Sequence, residues 1–167
     1  NLRLLPCWEA DITPYQFYTF NKPEEYYQVQ NTDVDANYGE AEVQMVEVFQ
    51  LHGIEEYGPE RVQTLLHEIT ELGLWTVPII VSKGTNLVLD GQHRLEAAKR
   101  LGLIRLPAVV VNYQEVAVWS LRKEIRVDPK RVEKTVRKTG AIYPYKTVKH
   151  KFPFDIPAIQ IPLEELR

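Results

Sequence analysis

The chain of 167 residues has one cysteine, Cys7. That excludes an internal disulfide framework, and a thiol with no second Cys or neighbouring His is a poor redox or metal site. Cys7 is expected to be passive. No apolar run approaches the roughly 18 residues needed to cross a bilayer. The opening NLRLLPCWEAD lacks the charged, apolar and small-residue regions of a secretion signal. The expected location is therefore the cytoplasm, with no membrane partner. Positive charge is also missing from one stretch: between Trp8 and Glu42, Lys22 stands alone against eight acids.

What is present fits one ordinary domain. The length allows a buried core without staples, and 44% hydrophobic with 26% charged residues excludes a disordered chain. The net charge of -3 hides a basic segment. Arg122 to Lys151 holds eleven Lys or Arg against Glu124, Asp128 and Glu133, a formal +8. An anion is the natural partner, phosphate first.

Residues 1–40 are rich in Tyr, Pro, Asn and Asp, without a period of 2 or 3.6, and are expected to be irregular. EVQMVEVFQL (42–51) alternates as a strand, with Val43, Met45 and Phe49 on one face. GPERVQTLLHEITELG predicts a helix begun by Pro59 and stopped by Gly73, its apolar face carrying Val62, Leu65, Leu66, Ile69 and Leu72. VPIIV (77–81) and LVL (87–89) flank the turn SKGTN as a hairpin. Leu95, Ala97, Ala98 and Leu101 then recur at helical spacing from Gln92, and Gly102 ends that element. LPAVVVNY is a further strand. Asp128 as N-cap, Pro129 and the stop at Gly140 predict a third helix, with Val132 and Val136 inward. The Pro-rich tail after it should wrap over the domain. The fold class is α/β, a single domain with core and tail over 42–166.

The chemistry concentrates in LVLDGQHRLEAAKRLGL, where a strand gives way to a helix. Gly91 permits a tight turn, and the helix N-terminus beyond it favours negative charge. Arg94 offers a planar fork to phosphate oxygens and His93 a donor. Asp90 can anchor Mg2+, which takes one or two carboxylates beside phosphate oxygens. Asp90, Gly91, Gln92, His93 and Arg94 together make a nucleotide-phosphate cradle in outline, with Asp90 as the metal residue. The plain alternative is that Asp90 caps the helix while His93 and Arg94 lie in solvent.

With its flanks, GLWTVPIIV, VLDGQHRLEAAKRLG and IRLPAVVVNY, the pattern resembles the ParB and sulfiredoxin-like superfamily, whose members carry a D-G-x-x-R or related box at this junction. The tail YPYKTVKHKFP followed by IPLEEL resembles the closing segment of the free serine kinases, which read approximately P-K-T-T-R-H. The resemblance covers roughly residues 46–166. It implies a compact fold of a small mixed sheet with flanking helices, and a phosphoryl transfer from ATP or ADP to the hydroxyl of free L-serine. The family's general base falls on Glu55 or Glu56, Glu55 being preferred. Phosphoryl transfer asks chiefly for positioning and charge neutralisation, with a carboxylate to orient the acceptor hydroxyl. Trp119, Lys146, Thr147, Lys149 and His150 match positions that would hold the acceptor. This chain departs from the usual D-G-H-H-R at Gln92, and from the tail pattern at Val148 and Lys149.

Other functions compete. Sulfiredoxin chemistry needs a cysteine in the box, where Gln92 and His93 stand. Sequence-specific DNA binding needs a reading helix-turn-helix, and after Tyr113 there is one good helix, so nucleic acid is not the expected partner, non-specific binding through the basic segment being the one route left open. The residues also fit a nucleotide-responsive regulatory protein without catalysis, or a homodimer, and residues 1–40 read equally as a lid, a dimer arm or simple packing.

Overall fold

The computed structural model describes residues 41–167, so the expectations for residues 1–40, Cys7 included, lie outside the described residues. These residues fall within one unit, Asn37–Arg167. A five-stranded sheet runs in the order β1 (Val43–Glu47), β6 (Arg105–Val111), β4 (Ile79–Ser82), β5 (Leu87–Asp90) and β2 (His52–Gly53). It is mixed. β1 is antiparallel to β6 and β4 to β5, whereas β6 with β4 and β5 with β2 are parallel.

β4 and β5 form the expected hairpin. Its turn is closed by Gly84 at φ 77° and Asn86 at φ 55°, residue types that tolerate the left-handed region. Both strands are apolar on both faces because the sheet is covered on both sides. Ile79, Val81 and Val88 pack with Leu95, Ala98, Trp75 and Leu166, while Ile80, Leu87 and Leu89 pack with Val132, Val136, Tyr143 and Val148. Burying each such aliphatic side chain contributes about 1.5–3 kcal/mol.

Helix α1 (Pro59–Leu72) begins after Gly58 and ends at Gly73, which adopts φ 67° and donates its amide to Ile69 O. Only Val62 of its expected apolar face is fully buried, and Leu72 is 56% exposed. Helix α2 (Gln92–Arg100) ends as Gly102 turns left-handed. Helix α3 (Pro129–Lys134) takes the predicted cap, Asp128 accepting from the Arg131 amide, but its last turn widens to a π-turn over Thr135–Thr139 before Gly140.

Two departures matter. The strand expected over 42–51 stops at Glu47: the Val48 amide still bonds Ile104 O, its next partner in the β1–β6 register, at 2.9 Å, but the chain then turns into a 3-10 helix over Val48–Gln50 that leaves Phe49 79% exposed. The tail also forms strands. β8 (Val148–Lys151) pairs with β7 (Ala117–Ser120), and β9 (Ile161–Pro162) pairs with β3 (Leu74–Trp75). Among the described residues no helix is long and apolar enough to cross a membrane.

Candidate active site

The box sits where β5 ends and α2 begins. Gly91 makes that junction at φ 106°, and a Cβ there would stand 2.7 Å from Ile79 Cγ2, so only glycine fits without displacement. The first amide to bond within the helix is Leu95 N, to Gly91 O at 2.8 Å. The amides of residues 92–94 precede that first bond and form the helix's anion-attracting end.

Three of the four box side chains face the protein. Gln92 Oε1 accepts from the Ile54 amide at 3.2 Å, and its Nε2 donates to Val88 O, so the amide ties the β2 segment to β5. Arg94 donates to Val77 O (3.1 Å), Pro78 O (2.5 Å) and Asp90 Oδ2 (2.6 Å). Its guanidinium is 14% exposed and orients Asp90, whose side chain is 36% exposed. His93 Nε2 accepts from the Gly58 amide at 3.0 Å, joining the N-termini of α1 and α2 and assigning the proton to Nδ1. Burial, reinforced by Arg61, Arg94 and Lys149 against the opposing pull of Asp90, holds the His93 pKa below its usual value. His93 is therefore neutral near pH 7. Asp90 remains the box side chain with a carboxylate open to solvent. Among the described residues no group of three or more His, Cys, Asp or Glu gathers, so a metal here would rely on Asp90 with phosphate and water oxygens, a donor set that suits Mg2+.

The tail reaches the same place. Glu55, in a bridge with Tyr143, takes the amides of Lys146 (2.8 Å) on Oε1 and of Thr147 (2.9 Å) and Val148 (2.6 Å) on Oε2. Glu56 is exposed, with Tyr145 N at 3.4 Å from Oε2. The Tyr145 ring meets His93 edge-on at 5.6 Å and carries Lys146 Nζ 5.3 Å above it. Box, glutamate pair and tail turn are thus contiguous.

His150 lies inside the wall behind the box. Its Nε2 and Tyr113 Oη are 2.9 Å apart, and burial lowers its pKa to about 4, Lys149 adding and Asp90 opposing. Burial raises the Tyr113 pKa, so the two form a neutral pair. Thr147 is fully buried. Trp119 and Lys149 are cross-strand partners on the outer face of β7–β8, Trp119 being 44% exposed.

Sequence reasoning passed over Tyr145, Tyr113 and Arg122. Arg122 bonds Thr147 Oγ1 through Nε (2.9 Å) and Tyr145 O through Nη2 (3.0 Å). Nothing local marks an arginine whose partners lie more than twenty residues away.

The ParB N-terminal domain family matches residues 28–122, more than half of the chain. The chain belongs to that family. Within it, the chain is 36% identical over 73 residues to an ATP-dependent L-serine kinase of Staphylothermus marinus, a match covering 41% of this chain and 29% of that protein. The chain thus spans under a third of that relative's length. In three dimensions this ParB-family domain resembles a free serine kinase solved with AMP, at TM-score 0.70 and 17% identity, covering 81% of this chain and 98% of that one. A conserved hypothetical protein from Pyrococcus furiosus superposes similarly, at TM-score 0.69 and 17% identity, over 78% and 99% of the two chains. These likenesses show that the chain has the mixed α/β fold of those two structures.

Proposed function

We propose that this domain is a small-molecule kinase that moves the terminal phosphoryl group of ATP to the hydroxyl of free L-serine, giving O-phospho-L-serine. The observation that carries the reading is the meeting of the α2 N-terminus and Asp90 with Glu55 and the tail turn 144–148. The name of the Staphylothermus relative and the AMP bound in the structural neighbour support it.

The nucleotide phosphates would lie against the amides of residues 92–94, with Lys149 and Arg61 adding positive charge near His93. Asp90, oriented by Arg94, would hold Mg2+ together with phosphate oxygens. The metal would neutralise charge on the transferred group. Serine would lie against the tail turn beside Lys146, whose ammonium would pair with its carboxylate, since Trp119 and Lys149 stand on the outer face of β7–β8 while Thr147 and His150 turn into the protein. Its Oγ–H bond breaks as the new Oγ–P bond forms and the bond from phosphorus to the bridging oxygen of ADP breaks.

The serine proton goes to the Glu55 carboxylate. Three of that carboxylate's roughly four lone-pair sites are filled by amides, so its direction is fixed, and one site on Oε1 is left for a hydroxyl. A modest base suffices, because the transition state is loose and asks for orientation more than for early deprotonation. Exposed Glu56 is the other candidate, and Gln variants of each separate them. The true base loses turnover by roughly 100-fold or more with nucleotide affinity kept.

The test is to incubate the full chain with Mg2+, L-serine and ATP, then with ADP, and follow phosphorus NMR. Phosphoserine is expected. Nucleotide binding with no phosphorylated amino acid from either donor refutes the kinase reading and leaves a nucleotide-binding regulatory domain.

A further inference from the structure

The tail turn 144–148 has a backbone that needs holding. Lys146 sits at φ 57°, a left-handed conformation disfavoured for any residue bearing a Cβ. Thr147 follows with its side chain fully buried, where an unpaired hydroxyl would be costly.

Two opposite charges grip this turn by its two kinds of backbone group. Glu55 takes the amides of Lys146, Thr147 and Val148. Arg122 takes the carbonyl of Tyr145 at 3.0 Å and the hydroxyl of Thr147 at 2.9 Å, while that hydroxyl donates onward to Pro144 O at 2.6 Å. Arg122 is itself anchored, its amide donating to Ser120 Oγ at 3.0 Å and its carbonyl accepting from the same hydroxyl at 2.9 Å. The neighbouring Leu121 amide bonds Thr147 O at 2.8 Å. Among the described residues no carboxylate forms an ion pair with Arg122, so its guanidinium is directed at the turn.

We propose that Arg122 is a positioning residue: it fixes the 144–148 turn so that the amides of that turn aim Glu55, and so that Tyr145 stays against His93. Its kinetic consequence rests on the kinase reading above; its structural consequence does not. A guanidinium suits the task because two nitrogens of one rigid plane reach two acceptors, whereas an ammonium is a single point. Arg122 touches no reacting atom and acts through the turn alone.

The proposal is tested by hydrogen exchange over residues 143–150 in wild type, Arg122→Gln and Arg122→Lys, alongside steady-state kinetics with serine varied. In Arg122→Gln the amides of residues 146–148 should exchange roughly tenfold faster or more, through local opening of the turn. The value of kcat/KM for serine should fall by a similar or larger factor, with nucleotide affinity within about twofold of wild type. Arg122→Lys should restore part of both. Wild-type exchange rates at 146–148 in Arg122→Gln overturn the proposal. If Arg122→Gln does not fold, Thr147→Val removes one of the two acceptors, and unchanged exchange there overturns it equally. Faster exchange in a protein whose wild type phosphorylates no serine would retain the clamp and discard the kinase.

Discussion

At the scale of single residues, Gln92 is where the box leaves the usual D-G-H-H-R pattern, and its contacts account for the exchange. The amide supplies one acceptor to Ile54 N and one donor to Val88 O. A neutral imidazole also supplies one of each. Gln92→His should therefore hold stability within about 1 kcal/mol, whereas Gln92→Leu leaves two backbone groups unpaired and should cost roughly 2–4 kcal/mol by urea denaturation. Gly91 allows no such exchange. Gly91→Ala combines a left-handed φ with a 2.7 Å approach to Ile79 and should lose roughly 2–4 kcal/mol in the same assay. Asp90, Gly91 and His93 were legible as a cluster because they are adjacent in the chain. That Arg94 spends its fork on two carbonyls and Asp90 was not, since Val77 and Pro78 are sixteen or more residues away.

At the scale of elements, the helices and the β4–β5 hairpin were legible and the short strands of the tail were not. Pro59, Gly73, Asp128 and Gly140 mark helix ends through local backbone geometry, which a sequence carries openly. β8 has no such mark: its four residues are a strand because β7 lies beside them, with Val118 opposite His150 and Trp119 opposite Lys149. The pairing turns His150 inward to Tyr113 and Trp119 outward, so two residues expected to share one task stand on different faces. Tyr113→Phe leaves His150 Nε2 without its phenol and should cost roughly 1–2 kcal/mol in the urea midpoint.

At the scale of the whole molecule, the buried histidines set an acid limit. His150 titrates near 4 in the fold and His93 below its usual value, against about 6.5 unfolded. As pH falls the unfolded chain takes up these protons first. The stability from neutral burial is thus complete above about pH 6.5 and is lost toward pH 4, with His150 contributing roughly 3 kcal/mol of the change. Urea midpoints at pH 7.5, 5.5 and 4 should fall steadily in the wild type and less in His150→Gln. Equal slopes would refute the assignment.

The sequence by itself determined the class of fold, the three helices, the hairpin and the box at the β5–α2 junction, because each depends on caps, periodicity or a glycine read within a few residues. The tertiary structure alone decided which side chains remain open to a ligand. It turned Gln92 and Arg94 inward, gave Glu55 three amides some ninety residues along the chain, and brought Arg122 to the far side of the same turn. Those contacts depend on how the tail packs across the sheet, and no local pattern records the position of a strand that pairs at long range.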